Sequence, residues 1–194
     1  TYHEATYARH HLKGKKQDFL FRLETPDRLG RAGIDKIGLG ALVGLSDSWR
    51  VDCYMVAEHL LWLQQHYWQS RYSISFPRLR PCAGGIEPAS LMDERQLVQT
   101  ICAFRLLAPE VELSLSTRES PAFRDRVIPI AINNVSAFSK TQPGGYADNH
   151  PELEQFAPHD GRRPEAVAEA MTAQGLQPVW KDWDNWLGRT SQVR

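Results

Sequence analysis

Apolar positions along this chain follow two rhythms. Residues 34–45, 73–76, 111–116 and 130–137 form short runs that are either continuously apolar or alternate with polar residues, the mark of buried or half-buried strands. Between them Val56, Leu60, Leu63 and Tyr67 recur at helical spacing within 48–68, and Leu97, Ile101 and Phe104 do the same behind Asp93. Asp93 with Gln96 three residues on is a helix-start signature. Ser120-Pro121 opens another short helix, and Thr25-Pro26-Asp27 ahead of Gly33 brackets one over 26–32, with Thr25 as its N-cap. From residue 34 onward the predicted order is strand, helix, strand, helix, strand, helix, strand.

Such alternation specifies an α/β fold with a parallel sheet, right-handed crossovers and covering helices. Four strands are too few to close a barrel. The pattern ends at Tyr146, so residues 1–146 read as the strand–helix unit and 147–194, with a helix over 164–174, as an appended extension.

Charge narrows the function. Lys and Arg total 23 against 23 Asp and Glu, so no net field recruits nucleic acid or anionic lipid. No apolar run approaches the roughly 20 residues of a membrane span. A small-molecule ligand is the better expectation. Cys53, Cys82 and Cys102 are odd in number and widely spaced, which argues against disulfides and for a reducing, cytoplasmic location. The amino terminus carries no Met, basic leader or apolar segment, and reads as the opening of a fragment rather than a signal peptide.

In parallel α/β folds the chemistry lies at the carboxyl ends of the strands. The loops there carry Gly38, Gly40 and Gly44, then 77–81, then Thr117-Arg118-Glu119, then Ser139 to Tyr146. Arg118 and Ser139 at adjacent mouths offer a guanidinium fork and a hydroxyl, a pairing suited to a carboxylate. Against that stands the ordinary fate of such an arginine, an ion pair with a local acid, here Glu119. Gly38, Gly40 and Gly44 fall inside a strand without the tight turn of a dinucleotide fingerprint, but bare backbone there admits a flat ring or ribose. His59 and His66 lack a metal-binding His-Glu-x-x-His context, and His10-His11 beside three lysines reads as a solvated loop. Cys53 and Cys102 fall in helices, as small buried hydrophobes do. Cys82 follows Arg80-Pro81 without an assigned base.

The strand-mouth segments are long enough to carry a resemblance. Residues 34–45, Ser75-Phe-Pro-Arg-Leu-Arg-Pro81, Leu115-Ser-Thr-Arg-Glu-Ser120, Ser139-Lys-Thr-Gln-Pro-Gly-Gly-Tyr146 and Pro178-Val-Trp-Lys-Asp-Trp183 resemble the second half of the 2-iminoacetate synthase family. These are tyrosine lyases of the radical S-adenosylmethionine (SAM) superfamily that serve thiamine thiazole synthesis. The resemblance implies strands five to eight of a (β/α)₈ barrel, with the [4Fe-4S] ligands of a Cys-x₃-Cys-x₂-Cys triplet outside this chain. It implies cleavage of the Cα–Cβ bond of L-tyrosine to 2-iminoacetate and 4-cresol, the former passing to thiazole synthase. By the same resemblance Arg22 corresponds to an arginine holding the SAM carboxylate, Gly38 and Gly40 lie by the nucleoside, and Arg118 and Ser139 grip the substrate carboxylate. A tail without cysteine, and Tyr72 where the hydrogenase-maturation cousin carries a histidine, favour the thiamine branch. The half alone is expected to be inert; a binding module without catalysis, and a half barrel docking thiazole synthase or a second copy of itself, are the competing readings.

Overall fold

The computed structural model describes residues 1–79, 86–142, 144–147 and 158–180. Three short helices lead in: α1 (Glu4–His10), α2 (Phe19–Leu23) and α3 (Thr25–Arg31). Then come β1 (Lys36–Leu39), α4 (Trp49–His66), β2 (Arg71–Ser75), α5 (Glu94–Leu107), β3 (Glu112–Leu115), α6 (Pro121–Ala131), β4 (Asn134–Val135) and α7 (Pro164–Ala173). The sheet order is β1-β2-β3-β4 and every pairing is parallel, with Gly38 opposite Ser73, Ser73 opposite Glu112 and Ser114 opposite Asn134.

Sequential order in a parallel sheet has a geometric consequence. Crossovers of one hand, each advancing by one strand, lay their helices on one face. That face buries Ile37, Leu39, Tyr72, Ile74, Leu113 and Leu115 against Leu60 and Leu63 of α4, Leu97 and Ile101 of α5, and Val127 and Ile128 of α6. Leu60, Leu63, Leu97, Ile101 and Leu113 are inaccessible to solvent, each contributing about 1.5–3 kcal/mol by burial. The opposite face presents Gly38, Ser73, Ser75, Glu112 and Ser114, all exposed or half-buried. One face dry and the other small and polar is the section of a barrel wall, and the expected α/β half barrel is borne out.

Local chemistry explains the element ends. At α5 the Gln96 amide donates to Asp93 Oδ1 at 2.7 Å and the Asp93 amide to Gln96 Oε1 at 3.0 Å, a reciprocal cap. At the end of α3, Gly33 has φ +71°, and the Ile34 and Gly33 amides return to Leu29 O and Gly30 O. Those two bonds form the left-handed closure that glycine favours. Ser120 caps α6 ahead of Pro121 in its first turn.

Three expectations are corrected. The strand over 130–137 shrinks to Asn134–Val135, because residues 130–131 belong to α6 and the Ile132 amide still reaches Ile128 O at 3.3 Å. Thr25 is not an N-cap: α2 and α3 abut at Glu24, and the Thr25 hydroxyl donates back to Phe21 O at 2.9 Å. Within 34–45 only 36–39 is strand; the chain departs and then pairs once more, Val43 bridging Arg78. Helices α1 and α2 went unforeseen, so His10 closes a helix and His11 stacks on Tyr7 at 4.0 Å between ring centres.

Candidate functional site

Two groups of side chains gather at the carboxyl-terminal edge of the sheet. The first lies where α2 and α3 meet the open face of β1. A cleft of about 320 Å³ there is lined by Arg22, Gly38, Gly40, Phe19, Leu23 and His59 among others. Its volume sits at the lower end of small-molecule sites. Arg22 is exposed on α2 and is the one Lys, Arg, Asp or Glu side chain among the lining residues. His59 bonds the Tyr2 hydroxyl at 2.9 Å, and burial, against the opposing pull of Asp27, lowers its pKa, which keeps the ring neutral. The cleft therefore mixes apolar walls such as Phe19, Leu23 and Leu29 with polar groups such as Thr25 and His59, and carries a single Lys or Arg side chain, Arg22.

The two glycines differ in what demands them. A Cβ at Gly40 would lie 2.7 Å from both the carbonyl and the hydroxyl oxygen of Ser75, so the neighbouring strand excludes a side chain. A Cβ at Gly38 would meet Ser73 Oγ at 3.4 Å, ordinary contact, and its backbone stays bare on the open face.

The second group surrounds the loop after β3. Arg118 is half-buried there, its amide donating to Ser116 Oγ at 3.3 Å. Glu119, expected as its local partner, is instead gripped by Arg78 through Nε at 2.9 Å and through a second bond from Nη2. Arg78 Nη1 also donates to Met92 O at 2.8 Å. On the other side the Thr117 carbonyl accepts the amides of His159 at 2.8 Å and Asp160 at 3.0 Å. The Arg124 guanidinium, wholly buried, donates to the Asp160 carboxylate and to Ser136 O. Arg162 joins them, with Nε 3.0 Å from Asp160 Oδ1 and its fork on Asp125 at 2.8 and 3.0 Å. Burial alone would raise the Asp160 pKa, but the Arg162 hydrogen bonds and the charges of Arg124 and Arg162 outweigh it and hold the carboxyl below its usual range. The Thr117 hydroxyl is buried without a hydrogen-bond partner among the described residues.

The residues expected to meet SAM thus share one cleft at β1. Arg118 and Ser139, both half-buried, follow the adjacent strands β3 and β4. Arg78, Arg124, Asp160 and Arg162 were missed; only the Ser75–Pro81 motif pointed near any of them, because ion pairs across tens of residues leave no local pattern. Tyr72 lies on the helix-covered face, its hydroxyl donating to Leu63 O and Tyr67 O at 2.9 Å. It therefore holds the end of α4 and says nothing of the open face. Cys53 is held protonated, burial and then Asp52 pushing its thiol up to about 11. His66 bonds Trp62 O, and among the described residues no three His, Cys, Asp or Glu side chains converge as metal ligands. Residues 80–81, Pro143 and 181–183 of the recognised segments, and Cys82, lie outside the described residues.

A parallel sheet in sequential order with helices over one face and buried ion pairs at its carboxyl-terminal edge defines one arc of a (β/α) barrel. The chain belongs to the family described as the Biotin and Thiamin Synthesis associated domain, whose profile matches residues 75–177. It is 91% identical over 192 residues to the 2-iminoacetate synthase of Escherichia coli strain K12, covering 99% of this chain and 51% of that protein. It is 86% identical over 194 residues to the 2-iminoacetate synthase of Salmonella typhimurium strain LT2, covering 100% of this chain and 52% of that protein. The chain spans about half the length of these curated relatives, and the resemblance read from its motifs is borne out. Among solved structures it matches HydG, a maturase of the [FeFe]-hydrogenase, at TM-score 0.82 and 35% identity over 93% of this chain and 39% of that one. HydG from Carboxydothermus hydrogenoformans matches at TM-score 0.78 and 28% identity, over 94% of this chain and 42% of that one.

Proposed function

We propose that this chain is the carboxyl-terminal half of a radical SAM lyase that cleaves the Cα–Cβ bond of L-tyrosine to 2-iminoacetate and 4-cresol for thiamine thiazole synthesis. The observation that carries this reading is 91% identity to a 2-iminoacetate synthase along 99% of the chain. The β1 cleft suits SAM: Arg22 supplies a cation for the carboxylate, and bare backbone at Gly38 and Gly40 admits the nucleoside beside apolar Phe19, Leu23 and Leu29. When bound, SAM and a reduced [4Fe-4S] cluster supply the radical that removes hydrogen from tyrosine; the cluster ligands lie outside this chain.

What the chain itself contributes is binding and orientation. Arg118 and Ser139 hold the tyrosine carboxylate at two neighbouring strand mouths, so the scissile bond keeps one orientation during reaction. The product passes to thiazole synthase. Cys53 and Cys102 are unpaired thiols, which suits a cytoplasmic enzyme. The described residues of this chain form an open four-stranded sheet and no cluster of three metal-ligating side chains, so the 194 residues alone are expected to turn nothing over.

The test is the full-length enzyme, reconstituted with cluster and given SAM, reductant and tyrosine. It should release 4-cresol, and its failure to do so sinks the reading. In that enzyme Arg118→Ala should weaken tyrosine binding far more than SAM binding, and Arg22→Ala should do the reverse; equal losses in both would reject the assigned roles.

A further inference from the structure

Arg118 and Ser139 sit on different loops, and a carboxylate held between them tolerates little drift. One buried assembly spans both loops. The Asp160 amide closes on the carbonyl of Thr117, the residue before Arg118. The Asp160 carboxylate takes the Arg124 guanidinium, whose other arm donates to Ser136 O, three residues before Ser139. Asp160 and Arg124 are both inaccessible to solvent. Breaking such a pair leaves an uncompensated charge in the interior, so the link resists opening. On the far side, Arg78 on Glu119 fixes the same loop against Met92 O. Arg118 therefore stands between two buried ion pairs, of which only the Arg124–Asp160 pair reaches the Ser139 side.

From this we infer that Arg124 and Asp160 are positioning residues for the tyrosine carboxylate: they set the separation between the Arg118 loop and the β4 mouth, and touch no substrate themselves. Asp160 comes from the segment after Tyr146, so the extension takes part in the substrate site by holding it in register. The inference rests on the proposed roles of Arg118 and Ser139.

The experiment compares Asp160→Asn, Arg118→Ala and the unaltered full-length enzyme by calorimetric titration with L-tyrosine and with SAM, and by the ratio of 5′-deoxyadenosine to 4-cresol formed. Asp160→Asn should raise the tyrosine Kd on the order of tenfold and lower the rate of 4-cresol formation by no more than the roughly hundredfold that a ~1 Å misplacement can cost. SAM affinity should hold, and the ratio should climb as misoriented tyrosine escapes cleavage. A merely structural role would lower both affinities together and leave the ratio alone, which overturns the inference. Should Asp160→Asn not fold, Arg162→Gln removes the more accessible partner of Asp160 and should shift the tyrosine Kd in the same direction, about twofold; no shift counts against the pair. If Arg118→Ala weakens tyrosine binding and neither other variant does, the positioning role alone falls. If Arg118→Ala leaves tyrosine binding intact, the carboxylate assignment falls and the inference with it.

Discussion

At the residue scale, Gly40 shows how a correct sequence signal acquires its cause only in three dimensions. A glycine at a strand end announces a close approach; Gly40 directly follows β1, and the approaching group is Ser75 of the next strand, 2.7 Å from a notional Cβ. Which residue lies opposite depends on register, which no local pattern contains. Gly40→Ala should therefore destabilise the protein by about 1–3 kcal/mol, the cost of overpacking, whereas Gly38→Ala, with 3.4 Å of room, should leave stability nearly unchanged while weakening SAM binding. Urea unfolding of both variants separates the two. Arg118 teaches the same lesson. Its sequence neighbour Glu119 was the natural partner, yet a guanidinium 41 residues away claims that carboxylate.

Among elements, legibility tracked how local the signal is. Helices α4 and α5 were read from periodicity and α5 from its cap, all within a few turns of chain. Asp93→Ala removes one acceptor of the reciprocal cap and should cost about 1 kcal/mol, visible as a lower Tm with unchanged ligand affinity. The β4 region failed because a short apolar run suits a helix end as well as a strand, and here Ile130 stands exposed in the last turn of α6. Pro129 would ordinarily stop a helix, yet α6 continues through it to Ala131. Helix α2, five residues long, starts from a cap at Asp18, whose carboxylate takes the Phe21 amide at 2.8 Å. So short an element has no periodicity to detect.

For the whole molecule, the Asp160 assembly makes stability depend on acid. Its native pKa lies below the ordinary carboxylate value of about 4, so the unfolded chain binds the proton first as pH falls. The stabilisation is complete above the unfolded pKa and disappears as pH drops through the native one. Urea unfolding between about pH 5 and pH 2 should show this loss in the unaltered protein and a shallower slope in Asp160→Asn; identical slopes would mean that Asp160 is not the titrating group. The sheet also ends in β1 and β4 with no further strand beside either among the described residues, and bare parallel edges invite pairing. The isolated 194-residue chain should scatter light as a dimer or larger; a monodisperse monomer would show that the edges are covered. Strand order, finally, governs how such a wall is made. Each strand's partner is the next one along the chain, across a crossover, with Lys36 facing Arg71 and Ser73 facing Glu112, and lengthening such a loop would add little entropy cost. Parallel pairing across a crossover forms more slowly than hairpin pairing, but among the described residues no pairing skips a strand. The layer can grow strand by strand in the order of synthesis, leaving the rounding of the full barrel as the one long-distance event.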